Sequence, residues 1–130
     1  MIDFEYDFAR NKFEMLIDKS QISRAFQNLI INSIHSIQEA NVSVGKINVE
    51  SSVTDNYLNI LILDNGVGLK YEKNELIKPY FTTKKRRGGS GLGLAIVEKI
   101  LFDHNAEFFI ENRNDGTEGA KVEIKFDNKI

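Results

Sequence analysis

The chain of 130 residues contains no cysteine, no tryptophan and a single proline. Without cysteine it can form neither a disulfide nor a thiolate metal site, so its stability has to come from a hydrophobic core. A formal net charge of −2 gives no general attraction to nucleic acid or to an acidic membrane surface. No apolar run approaches the roughly 18 residues that a membrane-spanning helix requires. These absences predict a soluble domain that contacts neither nucleic acid nor membrane directly.

The apolar pattern predicts one α+β domain over residues 1–130. A chain of this length buries about two-thirds of the surface that it exposes when unfolded, which is enough for one core. Two long helices and about six strands indicate one sheet with the helices on a single face. The predicted elements are a hairpin of strands 3–8 and 13–18, a helix over 21–39 capped by Ser20, strands 46–54 and 57–64, a helix from Gly91 to about Phe102, and a hairpin of strands 106–112 and 119–126.

Residues 65–90 are predicted to be irregular, apart from a short helical stretch near 73–77. A connection this long is uncommon in a compact domain unless it carries function. We therefore expect a binding segment between the last central strand and the second long helix.

A polar stripe follows one face of the first predicted helix, in QNLIINSIHSIQEA. Asn28, Asn32 and His35 lie at positions i, i+4 and i+7, so they share that face beside the apolar residues. Asparagine is a poor residue for a helix interior because its amide competes for backbone hydrogen bonds. An amide oxygen is a neutral hard ligand that suits Mg²⁺ already balanced by phosphates. The alternative is a solvated polar edge, and His35 alone is equally typical of a surface histidine.

The apolar strand LNILIL runs directly into Asp64-Asn65-Gly66-Val67-Gly68. A carboxylate at the end of a strand is held rigidly, and because it only accepts hydrogen bonds it suits an exocyclic amine such as that of adenine. The two glycines allow the backbone to approach a flat ring closely. A simple turn is the alternative, because Asp-Asn-Gly is a strong turn sequence.

Four cations and a glycine-rich segment precede the second predicted helix, in KKRRGGSGLGLAIVEKI. The start of a helix offers free N–H groups and a positive dipole end, which favour an anion such as phosphate. The segment matches neither a P-loop nor a dinucleotide-binding fingerprint. A nucleic-acid patch is the alternative for Lys84 to Arg87, but one short cluster on an acidic domain lacks the broad basic face of such proteins.

The order and spacing of these elements resemble the catalytic, ATP-binding domain of bacterial sensor histidine kinases. This is the Bergerat fold shared with gyrase, Hsp90 and MutL, a two-layer sandwich with a mixed, mostly antiparallel sheet. The resemblance runs from about Phe13 to the C-terminus. FTTKKRRGGSGLGLAIVEKI with DHNAEFFIEN resembles most the nitrogen-regulation, NtrY-type kinases.

The resemblance implies a role for each matching residue. Asn32 corresponds to the catalytic, magnesium-binding asparagine, and Asn28 to the asparagine one turn earlier. Asp64 corresponds to the aspartate that binds adenine N6, and Lys84 to a catalytic contact of the γ-phosphate in the lid. The remaining implied ATP contacts are His35, Gly66, Gly68, Leu69, Thr82, Thr83, Gly89, Ser90, Gly91, Leu92, Gly93 and Leu94.

Two positions depart from the family pattern. His35 lies where many members carry Lys or Arg, and a neutral imidazole would contact phosphate more weakly. Position 28 carries a glutamate in hydrolysing relatives, where it orients or deprotonates the nucleophile. Asn28 cannot act as a base, which disfavours an ATPase and suits transfer to a histidine, whose neutral imidazole needs little activation.

The phosphorylated histidine of the resembled family lies in a His-Glu-x-x-Asn-Pro-like segment, and neither His35 nor His104 fits it. We therefore expect the chain to be the catalytic part of a longer kinase, at its cytoplasmic end, using ATP and Mg²⁺. Its partners would be a histidine-bearing dimerisation domain and, indirectly, a response regulator. The alternative functions are a nucleotide-binding regulatory module without transfer and an independent kinase or ATPase of the same fold.

Overall fold

In the computed structural model of the chain, residues 1–8, 13–54, 56–69 and 93–127 are described. They form five strands and two helices in the order β1 (Ile2–Asp7), α1 (Lys19–Ala40), β2 (Gly45–Val53), β3 (Tyr57–Asp64), α2 (Gly93–Asp103), β4 (Ala106–Asn112) and β5 (Ala120–Asp127). Five of the predicted strands and both long helices are therefore present, within a few residues of the predicted bounds. The short helix predicted near 73–77 lies outside the described residues.

The strands form one sheet in the order β1-β2-β3-β5-β4. β1 pairs parallel with β2, and every other neighbouring pair is antiparallel. This mixed, mostly antiparallel sheet with helices packed on it confirms the predicted α+β class.

The predicted hairpin of 3–8 with 13–18 is wrong. Residues 13–18 form no strand, and β1 instead pairs with β2, with Ile2 opposite Gly45. The apolar alternation at Phe13 and Met15 has a different cause, because both side chains pack against the core in an extended segment that leads into α1. The path from β1 through α1 to β2 is a crossover, the connection that parallel strands require.

The core lies between the helices and one face of the sheet. The register places Ile47, Ile62, Val122 and Phe108 across four neighbouring strands on that face, and each is buried. α1 contributes Ile22, Ala25, Leu29 and Ile37, and α2 contributes Val97, Ile100 and Leu101. Full burial of each large aliphatic side chain contributes about 1.5–3 kcal/mol, so this layer holds the two helices on the sheet.

The beginning of α1 is joined to the end of α2. Asp18, rather than the predicted Ser20, caps α1 by accepting the N–H of Gln21 at 3.1 Å. The N–H of Asp18 donates to Nε2 of His104 at 3.0 Å, and Nδ1 of His104 lies 2.7 Å from the carbonyl of Ile100. The two helices also pack on each other along their lengths. With a rise of about 1.5 Å per residue, the first residue of α2, Gly93, lies roughly 16 Å along the helix axis from the end that meets α1.

Candidate functional site

The predicted polar stripe lies on α1, where Asn28, Asn32 and His35 are all half-buried. Buried Leu29 and Ser33 are interleaved with them, so the stripe borders the core. The position of the stripe beside the core agrees with the prediction from the helical spacing.

Asp64 is the last residue of β3, and only 3% of its surface is exposed. Its Oδ1 accepts the N–H of Gly66 at 2.9 Å and the N–H of Ala120 at 3.2 Å. The side chain of Ser33, on α1, also forms a hydrogen bond to this carboxyl group. Asp64 therefore joins three elements: the loop after β3, the start of β5 and the middle of α1.

Burial raises the pKa of Asp64 above its ordinary value, because desolvation disfavours the charged form. The N–H groups of Gly66 and Ala120, the Ser33 side chain and the positive charge of Arg113 act in the opposite direction. Desolvation is the largest of these effects, so the fold keeps a carboxylate where its charge is unfavourable. Such a position is typical of a residue retained for chemistry.

The hydrogen bonding of Asp64 leaves room for one more donor. A carboxylate offers about four lone-pair sites. Gly66, Ala120 and Ser33 occupy three of them. Among the described residues, one lone-pair site of the carboxylate thus has no donor assigned to it.

The loop after Asp64 is held against α1 and β2. Asn65 accepts the N–H of Lys46 at 2.7 Å and donates to the carbonyl of Val44 at 3.1 Å. The N–H of Val67 donates to the carbonyl of Ser36 at 3.3 Å, one helical turn after Asn32. A Cβ added at Gly66 would lie 2.1 Å from the Oγ of Ser36. Gly66 is thus required for packing on α1, a reason that sequence alone did not give.

The far end of this loop is held by β4. Gly68 has a φ of 79°, and a Cβ there would lie 2.6 Å from Oδ1 of Asn112. The side chain of Asn112 accepts the N–H of Leu69 and donates to its carbonyl at 3.0 Å. Gly68 and Leu69, both predicted site residues, are therefore fixed by a side chain that the sequence did not indicate.

At the start of α2, a Cβ added at Gly93 would meet no atom of the described residues within 4 Å, and Leu94 packs against the core. The other predicted contacts lie outside the described residues: Thr82, Thr83, Lys84, Gly89, Ser90, Gly91 and Leu92.

The described part of the chain contains few side chains that could together bind a metal ion. Residues 1–8, 13–54, 56–69 and 93–127 contain no group of three or more His, Cys, Asp or Glu placed to hold a metal ion. The predicted magnesium ligand on α1, Asn32, carries an amide oxygen, a ligand type that suits a magnesium ion completed by phosphates and water.

Four residues that position Asp64 and the loop after it were not predicted from the sequence. They are Ser33, Asn112, Arg113 and Gly119, whose backbone lies close to the carbonyl of Asp64. Ser33 had a detectable signal, because it directly follows Asn32 and shares the buried stripe with Leu29. Asn112 and Arg113 had none, because they act on residues more than 40 positions away in the chain.

Comparisons with known proteins identify the family of this chain. A sequence model of the family described as histidine kinase-, DNA gyrase B- and HSP90-like ATPases matches residues 17–130. The NtrY-like sensor histidine kinase of Rickettsia prowazekii is 35% identical over 129 residues, which are 98% of this chain and 20% of that protein. The nitrogen regulation protein NtrY of Azorhizobium caulinodans is 37% identical over 112 residues, or 83% of this chain and 14% of that protein.

The solved structures include the nucleotide-free catalytic domain of the histidine kinase ThkA. It superimposes with a TM-score of 0.79 at 25% identity, covering 98% of this chain and 80% of ThkA's. The chain spans about a fifth of the length of the first Rickettsia relative that it matches. No described helix is both long enough and apolar enough to cross a membrane. The family predicted from the motifs is confirmed: this chain belongs to the histidine kinase-, DNA gyrase B- and HSP90-like ATPases.

Proposed function

We propose that this chain binds Mg-ATP between α1, the loop after Asp64 and the start of α2, and donates the γ-phosphate to a histidine on a separate dimerisation domain. One observation supports this most directly: Asp64 is a buried carboxylate, held by Ser33 and two backbone N–H groups, with capacity for one more donor. A 6-aminopurine supplies that donor.

The residues have distinct roles in this proposal. Asp64 accepts the purine amine, and Asn32 gives its amide oxygen to magnesium. Asn28, His35, Gly66, Gly68, Leu69 and Leu94 line the nucleotide site. Lys84 contacts the γ-phosphate, and the free N–H groups at the glycine-rich start of α2 bind the other phosphates. Mg-ATP, when bound, supplies the electrophilic phosphoryl group.

The chain's own chemistry favours transfer over hydrolysis. Asn28 has no basic group with which to activate a water molecule. A neutral histidine of a partner domain needs no such activation near pH 7. Positioning and electrostatic stabilisation by Asn32 and Lys84 then provide the catalysis.

The same proposal places this chain within a longer kinase. The NtrY-like relative from Rickettsia prowazekii, named as a sensor histidine kinase, is about five times its length. Residues 1–130 would be one catalytic domain, at the cytoplasmic end of a membrane-anchored protein. The histidine-bearing domain is its direct partner, and a response regulator receives the phosphate afterwards.

Calorimetric titration with ATP and magnesium tests the binding step. Asp64→Asn should weaken ATP binding by about 10- to 100-fold, because it removes a charge-assisted hydrogen bond. Asn32→Ala should remove the magnesium dependence of binding. Asp3→Asn on β1 and Gln38→Ala on α1 are matched controls, since both positions are exposed. Parent-like Mg-ATP binding by either site variant would overturn the assignment of that residue.

Transfer is tested with γ-labelled ATP and a separately produced histidine-bearing domain. Label should appear on the acceptor histidine with the parent chain and not with Asn32→Ala. Lys84→Ala should weaken ATP more than ADP, because its role concerns the terminal phosphate. Tight binding with an unlabelled acceptor would instead support the nucleotide-binding regulatory module.

A further inference from the structure

The turn between β4 and β5 holds an arginine against the main chain of Asp64. Nη1 of Arg113 donates to the carbonyl of Asp64 at 3.0 Å. Asp115 fixes the same guanidinium from its other side, accepting Nε at 3.1 Å and Nη2 at 2.7 Å. Only 13% of the Arg113 side chain is exposed, so this is a partly desolvated, two-point ion pair.

The backbone of the same turn approaches Asp64 from a second direction. A Cβ added at Gly119 would lie 2.0 Å from the Asp64 carbonyl oxygen, and its φ is 144°. This close approach brings the N–H of Ala120 to the Asp64 carboxylate at 3.2 Å. The N–H of Arg113 donates to the carbonyl of Gly119 at 2.9 Å, which ties both contacts into one turn. The same turn therefore contacts both the main-chain carbonyl and the carboxylate of Asp64.

Asn112 acts on the other end of the loop. Its amide makes two hydrogen bonds with the backbone of Leu69, which a side chain without both a donor and an acceptor could not reproduce. Consecutive residues, Asn112 and Arg113, thus hold the two ends of the segment from Asp64 to Leu69.

We propose that Arg113 and Asn112 are positioning residues for recognition of a 6-aminopurine nucleotide. Arg113, oriented by Asp115, fixes the Asp64 peptide and so the direction of its carboxylate, while Asn112 fixes Leu69. Neither residue needs to touch the ligand. The inference rests on the proposed function and deepens it, because it assigns base selectivity to a turn distant in sequence.

The test compares ATP with inosine triphosphate, which carries an oxygen where ATP carries the 6-amino group. Arg113→Met keeps most of the aliphatic stem and loses every donor. It should lower the ratio of ATP to inosine triphosphate affinity by about three- to tenfold, the scale of one hydrogen bond to a charged group. Arg113→Lys, which can restore one donor but not the fork, should recover part of the ratio. Arg24→Met, an exposed arginine on α1, is the matched control and should leave the ratio unchanged.

The pH dependence of ATP binding gives a second readout. The groups facing the Asp64 carboxylate are Ser33 from α1, the N–H of Gly66 from its own loop, the N–H of Ala120 from β5, and the charge of Arg113. Only Arg113 among them carries a charge. Loss of that charge in Arg113→Met should move the acid limb of ATP binding to higher pH, and Arg24→Met should not.

Asn112→Ala tests the other end of the loop. It should weaken ATP by about threefold, on the scale of a neutral hydrogen bond, without moving the acid limb. The neighbouring exposed Asn114→Ala should have no effect.

Each outcome decides the inference. A lower melting temperature of Arg113→Met with an unchanged affinity ratio and acid limb would make Arg113 merely structural and overturn the proposal. If Arg113→Met fails to fold, Arg113→Lys and Asp115→Asn carry the same two readouts. The proposed function fails separately, if the parent does not bind Mg-ATP or if Asp64→Asn leaves the ratio unchanged, and the inference then falls with it.

Discussion

Arg113 contacts two aspartates, Asp64 and Asp115, and the fold shifts the pKa values of their carboxyl groups in opposite directions. Asp64 is buried, and desolvation raises its pKa despite three hydrogen bonds and the nearby guanidinium. Asp115 is on the exposed turn, and the hydrogen bond from Arg113 is the main cause that lowers its pKa. Arg113 is therefore the main cause of the pKa shift at the exposed Asp115, whereas desolvation outweighs the effect of Arg113 on the pKa of the buried Asp64. Asp115 serves to hold Arg113, whereas Asp64 is maintained against its own solvation preference.

The two carboxylates have opposite effects on stability as pH changes. The folded chain holds the proton of Asp64 more tightly than the unfolded chain. Its contribution to the free energy of unfolding is therefore greatest below the unfolded pKa, and it declines as pH rises through the raised folded pKa. For Asp115 the folded pKa is the lower one. Its contribution is present above the unfolded pKa and is lost as pH falls through the folded value.

Forcing the turn between β4 and β5 away from Asp64 should cause the largest loss in the free energy of unfolding. Gly119→Ala forces a Cβ to 2.0 Å from the Asp64 carbonyl oxygen at a φ of 144°. We expect a loss of about 3 kcal/mol in the free energy of unfolding, measured by urea denaturation, because both the clash and the backbone strain must be relieved. Gly116→Ala, with a φ of 87° and no atom of the described residues within 4 Å of the added Cβ, should lose only about 1 kcal/mol. Equal losses would show that the close approach carries no special cost.

Removing the Ser33 hydroxyl should have the next largest effect. Ser33→Ala takes a hydrogen bond from a buried carboxylate, so the free energy of unfolding at pH 7 should fall by about 1.5 kcal/mol. The control is Ser36→Ala one turn later, because the Oγ of Ser36 is buried without a hydrogen-bond partner among the described residues. That variant should be neutral or slightly more stable. A greater loss for Ser36→Ala would contradict the assignment of the Ser33 contact.

Replacing Asp64 by Asn should not lower the free energy of unfolding, in contrast to the two preceding substitutions. The amide has the same shape, can still accept from Gly66 and Ala120, and carries no charge to desolvate. Thermal unfolding at pH 7 should therefore show equal or greater stability, even though nucleotide binding is weakened. The decline in stability expected of the parent as pH rises through the raised pKa of Asp64 should be absent from the variant. A marked destabilisation at pH 7 would mean that the charge of Asp64 supports the fold.

The smallest effect is expected from Asp115→Asn. The carboxylate is exposed, and screening by solvent keeps such ion pairs weak. The melting temperature should fall slightly at pH 7 and match that of the parent once the pH has fallen below the lowered folded pKa of Asp115, where the parent carboxyl is protonated as well. A difference that persists unchanged at low pH would show that the charge of Asp115 is not responsible.

The sequence predicted those parts of the site that depend on neighbours in the chain. Helical spacing placed Asn28, Asn32 and His35 on one face, and the apolar run of β3 placed Asp64 at a strand end. Contacts between distant elements were not predictable in this way. Arg113 reaches Asp64 only because β5 lies between β3 and β4 in the sheet, an order that no local pattern specifies.

The wrong hairpin has the same origin. Alternating residues at 3–8 and 13–18 match a local strand pair, but β1 finds its partner in β2 after a complete helix. Alternation reports that a segment is extended with one face packed, and it does not identify the neighbouring strand. Phe13 and Met15 satisfied that pattern by packing on the core without joining the sheet.

The pairing of β1 determines where the sheet should open first by local unfolding. β1 is an edge strand with five of its six residues exposed, and its ladder partners begin 43 positions later in the chain, at Gly45 opposite Ile2. Closing so long a loop is entropically expensive, and little buried surface offsets it. The amide protons of β1 should therefore exchange with deuterium well before those of β3 and β5, through partial openings that leave the Asp64 end of the sheet intact.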